Sequence, residues 1–164
     1  MTSYTGDKLR IGAAKFIDES FYIEGLKLDD KQRVEQTDYL LQFLDAPLNV
    51  DIVYWYVRKV TSQETKRMLR DLYGRDVMVG NYFPPKGGSN IPILLEDILH
   101  VIRTNLVNPF VGHVRYENLH PFMDGNGRSG RAIWAWHMYK YYNYKFDISF
   151  LHKFYYQTLD VRYE

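Results

Sequence analysis

Cysteine is absent from the 164 residues, which excludes disulfides, thiolate nucleophiles and thiolate metal sites. No apolar run approaches the roughly 20 residues of a membrane span, and residues 1–16 lack the apolar core of a signal peptide. Neither sign of charge prevails, since 21 basic and 20 acidic residues give a net charge of +1, too little for a field that attracts nucleic acid. These absences predict a soluble, cytoplasmic protein that binds neither nucleic acid nor membrane.

Internal repeats, low-complexity blocks and linker-like breaks in composition are also missing, so the chain is expected to form one domain over residues 1–164 with a sizeable core. Apolar side chains recur at helical spacing along most of its length, which predicts an all-α fold. Asp29 or Asp30 is the predicted N-cap of the second helix, which ends before Pro47. The predicted helices span about residues 7–24, 30–46, 50–60, 63–72, 93–107, 108–118, 128–142 and 148–159.

The segment from about residue 75 to residue 92 breaks this helical pattern. Val77 and Val79 alternate with polar or flexible neighbours, as in a strand. Three turn-forming dipeptides follow, at residues 80–81, 84–85 and 87–88. The segment therefore predicts a short strand and turn between helices.

Residues 120–131 read His-Pro-Phe-Met-Asp-Gly-Asn-Gly-Arg-Ser-Gly-Arg. Gly125 and Gly127 allow the backbone to adopt conformations that are closed to other residues and to approach a ligand closely. Residues 127–138 contain no proline and can form a helix, so this glycine turn is placed at a helix N-terminus. Free N–H groups and the positive end of the helix dipole meet there, which predicts a phosphate site.

Charged side chains surround the predicted phosphate site. Asp124 offers the hard oxygen ligands that Mg²⁺ prefers. Arg128 and Arg131 lie one helical turn apart and can both bind phosphate oxygens through paired hydrogen bonds. His120 can accept a proton near neutral pH. Together these side chains indicate a site for a nucleotide with Mg²⁺ beside a general base.

The stretch resembles the signature of the Fic (filamentation induced by cAMP) family, His-Pro-Phe-x-(Asp/Glu)-Gly-Asn-Gly-Arg-x-x-Arg, and matches it at every specified position. Members typically transfer AMP from ATP to a hydroxyl side chain of a target protein. The resemblance covers about residues 20–159 and implies a Fic-type helical bundle. It also implies the following roles: general base, His120; Mg²⁺ ligand, Asp124; anion hole, Gly125, Asn126 and Gly127; phosphate binding, Arg128 and Arg131.

The same resemblance gives the segment at residues 75–92 a function. Fic proteins carry a β-hairpin flap at this place, upstream of the motif. It would hold the backbone of the target protein by strand addition beside the phosphates. The residues expected to dock the target are Val79, Gly80 and Asn81.

A second motif precedes the domain core. Residues 20–25, Ser-Phe-Tyr-Ile-Glu-Gly, resemble the inhibitory signature of the family, (Ser/Thr)-x-x-x-Glu-(Gly/Asn). Ser20 and Glu24 would share one helix face, and Gly25 is a plausible helix terminator. The resemblance implies an inhibitory helix at about residues 7–25, within the same chain. We expect Glu24 to pair with Arg131 and so take the donors offered to the γ-phosphate.

The leading hypothesis is an auto-inhibited, Mg²⁺-dependent protein adenylyltransferase. One alternative keeps the fold but removes AMP from a target, with Glu24 orienting a water, or transfers another phosphate-linked group. Another is a catalytically silent module that binds a nucleotide or a partner, against which the intact His120 and Asp124 argue. The intact sequence Gly-Asn-Gly-Arg at residues 125–128 also argues against the Doc branch of the family, which phosphorylates its target. The target protein, the activating signal and assembly into a homo-oligomer stay open. The choice of nucleotide also stays open, because Ala135 stands where many relatives have an asparagine.

Overall fold

The computed structural model of the chain describes residues 3–61, 68–144 and 146. Within this part the chain forms helices and no sheet, which confirms the all-α fold. The helices are α1 (Ser3–Ile23), α2 (Asp30–Asp45), α3 (Val50–Val60), α4 (Asn90–Arg103), α5 (Pro109–Leu119) and α6 (Asn126–Tyr141). In the ranges just given, no helix has both the length and the apolar character needed to cross a membrane.

Side-chain caps fix where three of these helices begin. Asp29 accepts a hydrogen bond from the backbone N–H of Gln32 at 2.8 Å, and the Gln32 side chain accepts the N–H of Asp29 at 3.0 Å. This reciprocal pair is a capping box, and it confirms the predicted start of α2. Asn49 and Asn108 cap α3 and α5 in the same way through one hydrogen bond each.

Helix α6 lies at the centre of the bundle and contacts α1, α2, α3 and α5. Most of its residues are buried, including polar ones in its first two turns. Gly130 lets α5 approach closely, because a Cβ there would overlap the Glu117 carboxylate and lie 3.0 Å from Tyr116 Cδ1. The first two turns of α6, which carry the motif arginines, are therefore held from several sides.

The end of α1 is closed by a glycine turn. Gly25 has a φ of 73°, and its N–H donates to Tyr22 O at 2.9 Å. The N–H of Leu26 donates to Phe21 O at 2.9 Å, which completes a Schellman motif. The prediction that Gly25 ends the helix is confirmed, and Glu24 follows immediately after the last helical residue.

The predicted helix at residues 63–72 is wrong for residues 68–72. Leu69 instead forms an isolated antiparallel bridge with Phe122. Arg70 N–H donates to Pro121 O at 2.9 Å, and Met123 N–H donates to Met68 O at 3.0 Å. Pairing with a distant segment has overridden local helix propensity here. Residues 63–67 and the predicted helix at 148–159 lie outside the described residues.

The predicted hairpin segment contains one short turn. Val79 and Tyr82 exchange two backbone hydrogen bonds of 2.9 Å around Gly80 and Asn81. Within residues 75–92 the strand pairing does not extend beyond this one bridge. The segment is also shorter than predicted, because α4 already begins at Asn90. The Tyr82 hydroxyl donates to Asn118 O at 2.8 Å, which fixes the turn beside the end of α5. The docking role of Val79, Gly80 and Asn81 stays a prediction.

Candidate active site

The motif loop, residues 120–125, connects α5 to α6. His120 ends α5 in the left-handed conformation, with φ 50° and ψ 61°, and its N–H donates to Tyr116 O at 3.0 Å. Phe122 is fully buried and stacks on Tyr54 with 5.7 Å between ring centroids, as expected for an anchor of the loop. Gly125 begins α6 with a φ of 82°, and a Cβ there would lie 2.8 Å from Thr61 Cγ2. Both its backbone conformation and its surroundings require glycine.

Asn126 closes the loop from inside. Its side chain accepts the backbone N–H of Phe122 at 2.9 Å and donates to Phe122 O at 2.7 Å. The residue is buried, and both its Oδ1 and its Nδ2 take part in holding the loop. Any part that Asn126 plays in an anion hole therefore falls to its backbone N–H.

Arg128 lies buried beneath the loop with little to neutralise it. Its Nη1 donates to Val60 O, and its Nη2 lies 3.6 Å from Asp124 Oδ1. Its Nε is buried and has no hydrogen-bond partner within the described ranges. Burial lowers the pKa of the Arg128 guanidinium, and Asp124 and Glu24 oppose that effect. A buried guanidinium whose Nε has no hydrogen-bond partner among the described residues is suited to binding an anion.

Arg131 is fully buried and contacts both residues of the second motif. Its Nε donates to Ser20 Oγ at 2.9 Å, and its Nη2 donates to Ser20 O at 2.8 Å. The same Nη2 lies 2.6 Å from Glu24 Oε1, so the predicted ion pair is present. The Glu24 side chain is 34% exposed, whereas the Arg131 side chain is 1% exposed. The carboxylate therefore approaches the arginine from the solvent side.

Gly127 has a different reason for being glycine than the sequence suggested. It lies within α6 and does not have a positive φ, so the expected unusual backbone conformation is wrong. A Cβ at this position would overlap Glu24 Oε1 and lie 3.0 Å from Arg131 Nη1. Gly127 is needed because Glu24 and the α6 backbone come this close together.

Asp124 is the residue that could hold a Mg²⁺ ion. Its side chain is 39% exposed, and its nearest charged partner is Arg128 at 3.6 Å. Over the described ranges, no three His, Asp or Glu side chains gather into a metal-binding group. Mg²⁺ is commonly held by one or two carboxylates together with substrate phosphates, so a single carboxylate suits that arrangement. His113 is buried between α5 and α6, with Nδ1 3.0 Å from Gly130 O.

Sequence reasoning did not identify one residue that touches the motif loop. Arg70 is fully buried and donates to the carbonyls of Leu119 and His120 at 2.8 and 2.7 Å. A single arginine within a segment that the sequence predicts to be helical gives no signal of such a contact. Only the fold brings residues 70 and 120 together.

Comparisons with known proteins agree with this geometry. Residues 48–138, more than half of the chain, match the model of the Fic/DOC family. Two relatives, each named "Protein adenylyltransferase Fic", come from Drosophila mojavensis (24% identical) and Drosophila grimshawi (22% identical), each aligned over 130 residues and 68% of this chain. The chain spans only about a quarter of their length, 24% and 26%.

A solved structure shares the fold. The crystal structure of a Fic family protein from Desulfovibrio desulfuricans superposes with a TM-score of 0.57 at 15% identity, covering 96% of this chain and 56% of that one. The matched residues, 48–138, contain the motif loop and most of α6. The chain belongs to the Fic/DOC family.

Proposed function

We propose that the chain is a Mg²⁺-dependent protein adenylyltransferase that is held inactive by its own Glu24. The observation that carries this proposal is the arrangement at the start of α6. Two buried arginines, Arg128 and Arg131, flank the loop that presents His120 and Asp124. This is a site for a polyanion with a base and a metal-binding carboxylate beside it, and two relatives of the chain are named adenylyltransferases.

In this proposal, the protein contributes mainly position and charge. The backbone N–H groups of residues 125–127 and the two arginines bind the phosphates of ATP at the positive end of the α6 dipole. Asp124 would hold Mg²⁺, which when bound neutralises negative charge on the phosphates. Because the transition state spreads charge over the phosphoryl oxygens, donors fixed in advance by the buried α6 lower its energy.

His120 acts as the general base. It accepts the proton from a Ser, Thr or Tyr hydroxyl of the target protein as that oxygen attacks the α-phosphorus. The new oxygen–phosphorus bond forms while the bond from the α-phosphorus to the bridging oxygen breaks, and pyrophosphate leaves. The turn around Gly80 and Asn81 lies beside the end of α5, where it can receive the backbone of the target.

Glu24 restrains the reaction through Arg131. Its carboxylate takes the outer face of that guanidinium and lies against Gly127, over the first turn of α6. A γ-phosphate that needs Arg131 must therefore displace Glu24 or bind elsewhere. In the second case, the α-phosphorus is misaligned for in-line attack.

A second reaction has support from the same carboxylate. Glu24 is partly exposed beside the proposed phosphate site, where a carboxylate can orient a water for attack on an AMP-modified side chain. That reaction would require Glu24, whereas AMP transfer would be hindered by it. The variant Glu24→Gly thus separates the two, because it should raise transfer and abolish removal.

The deciding experiment is label transfer. The purified chain and Glu24→Gly would each be incubated with Mg²⁺ and cell lysate, using ATP labelled on either the α- or the γ-phosphate. AMP transfer predicts labelled protein with the α-label alone, and a mass increase of one AMP on a hydroxyl side chain. His120→Ala serves as the inactive control. Label from the γ-phosphate would indicate phosphorylation, and no label from either ATP with both proteins would contradict the proposal.

A further inference from the structure

Arg70 occupies an unusual place for an arginine. It is fully buried, and its guanidinium donates to backbone carbonyls of two separate segments. On one side it reaches Leu119 O at 2.8 Å through Nη2 and His120 O at 2.7 Å through Nε. On the other side Nη1 reaches Pro85 O at 2.8 Å and Arg75 O at 3.2 Å. One side chain thus joins the end of α5 to the segment at residues 75–89.

The backbone around Arg70 makes the same connection. Arg70 N–H donates to Pro121 O, and Met123 N–H donates to Met68 O, so residues 68–70 pair with residues 121–123 across the motif loop. Gly88 N–H donates to Arg70 O at 2.9 Å. The His120 backbone is therefore bordered by Arg70 on its carbonyl side.

These contacts answer two needs of His120. Its left-handed backbone conformation is unfavourable for a residue with a side chain and persists only where the surroundings impose it. The last carbonyls of α5 also lack helical partners and carry the negative end of the helix dipole. The Arg70 guanidinium supplies donors and a positive charge at that point. Burial lowers its pKa, which Asp76 opposes, but a guanidinium stays charged in any case.

We propose that Arg70 is a positioning residue: it holds the backbone of His120 in the left-handed conformation and couples it to the segment at residues 75–89. It does not touch substrate and acts through His120. The kinetic part of this inference rests on the proposed function, while the structural part does not. A target protein that docks at the turn around Gly80 would therefore influence, through Arg70, the backbone position of His120, the proposed general base.

The structural part is tested by amide hydrogen exchange in Arg70→Lys, which keeps the charge but cannot bond all four carbonyls. Arg75→Lys is the matched control, because the Arg75 side chain donates to Leu69 O and Asp71 and, among the described residues, to no carbonyl of α5 or the motif loop. We expect the amides of His120 and Met123 to exchange about tenfold faster or more in Arg70→Lys. Exchange of Val57 in α3 should stay as in the parent. Arg70→Gln, which keeps two donors, repeats the test should the lysine variant unfold.

Unchanged exchange at His120 and Met123 would overturn the proposal. So would a loss of protection throughout the chain in both Arg70 variants, since Arg70 would then stabilise the whole fold instead of positioning one residue.

The kinetic part uses AMP transfer in a Glu24→Gly background. We expect Arg70→Lys to lower kcat by about 100-fold while leaving KM for ATP within about twofold, because the phosphate ligands are untouched. In a His120→Ala background the same change should lower the residual rate no further. Equal losses in both backgrounds would overturn the proposal. Should the parent and Glu24→Gly transfer no AMP at all, the proposed function fails, and the exchange experiment alone decides the role of Arg70.

Discussion

Gly127 and Glu24 approach so closely that a methyl group at residue 127 would overlap the Glu24 carboxylate. Gly127 lies in α6 and Glu24 directly follows the end of α1, and Arg131 holds the carboxylate in place from one turn further along α6. Glu24 thereby lies against the first turn of α6 as well as against the arginine.

Removing that carboxylate should activate the protein. We expect Glu24→Gly to raise the initial rate of AMP transfer, including self-modification, by about 10- to 100-fold, because Arg131 becomes available for correct phosphate placement. Glu24→Gln should activate only in part, since the amide retains the size and loses the charge. The measurement is incorporation of labelled AMP at saturating Mg²⁺ and ATP.

Two variants control this experiment. Lys27→Gly loosens the same connection after α1 without removing the carboxylate, and it should behave as the parent does. The double variant Glu24→Gly, His120→Ala should transfer AMP at least about 100-fold more slowly than Glu24→Gly, because an open phosphate site is useless without the base. A well-folded Glu24→Gly protein that incorporates no more AMP than the parent would show that Glu24 is not inhibitory.

The second prediction concerns the metal. Asp124→Ala should remove both AMP transfer and its dependence on Mg²⁺, because the proposed carboxylate ligand is gone. Asp124→Asn should require a higher Mg²⁺ concentration, since it keeps one oxygen and loses the charge. The measurement is a Mg²⁺ titration of the transfer rate in a Glu24→Gly background. Asp97→Ala, at an exposed position of α4, is the control; Mg²⁺-stimulated transfer by Asp124→Ala would exclude this ligand.

Asn126 should matter for the stability of the loop. Replacing it by alanine leaves the buried N–H and C=O of Phe122 without their partner, which costs about 1–3 kcal/mol of unfolding free energy. Asn126→Asp can still accept the N–H and cannot donate to the carbonyl, so it should also destabilise the fold. Urea unfolding measures both variants. An unfolding free energy equal to that of the parent in Asn126→Ala would mean that the amide does not hold the loop.

The fourth prediction is a pH dependence from His137. This residue is buried, and burial lowers its pKa below the ordinary value of 6.5. At a pH just below 6.5, His137 therefore binds a proton more readily in the unfolded chain than in the folded chain. The free energy of unfolding is therefore highest above pH 6.5, and it decreases as the pH falls below that value. Between pH 7.5 and about 5.5 the parent should lose more stability than His137→Gln, whose amide can still donate to Asn105.

His100→Gln is the matched control for that comparison, because His100 lies exposed on α4. Between pH 7.5 and about 5.5, His100→Gln should lose as much stability as the parent loses. Urea midpoints at the two pH values supply the test for all three proteins. Equal losses in the parent and His137→Gln would show that His137 does not resist protonation in the folded chain.

Local chemistry made part of this structure predictable. Asp29 and Gln32 form a capping box whose residue types and spacing are visible in the sequence, and Gly25 ends α1 through a turn that favours glycine. The pairing of Glu24 with Arg131 also followed from two motifs, although 107 residues separate them. Each of these features depends on residue types at fixed spacing.

Other features depend on contacts that leave no such pattern. Residues 68–70 pair with residues 121–123 through backbone groups, which every residue carries, so the helix predicted there was wrong. Gly127 is glycine because of a carboxylate from another helix, which no local conformational argument can reveal. Arg70 binds carbonyls about 50 residues away, and its type alone does not say whether it is buried or solvated.

The Schellman turn at the end of α1 has a kinetic consequence. Glu24 is supplied by a helix terminus, and two backbone hydrogen bonds, from Gly25 and Leu26, set its place. Helix ends fray on nanosecond to microsecond timescales, far faster than a domain unfolds. Detaching Glu24 from Arg131 therefore requires only that the last turn of α1 open, while the earlier turns remain packed on α2. The carboxylate that we propose to be inhibitory is therefore carried by a helix end, which can return to its place as fast as one helical turn re-forms.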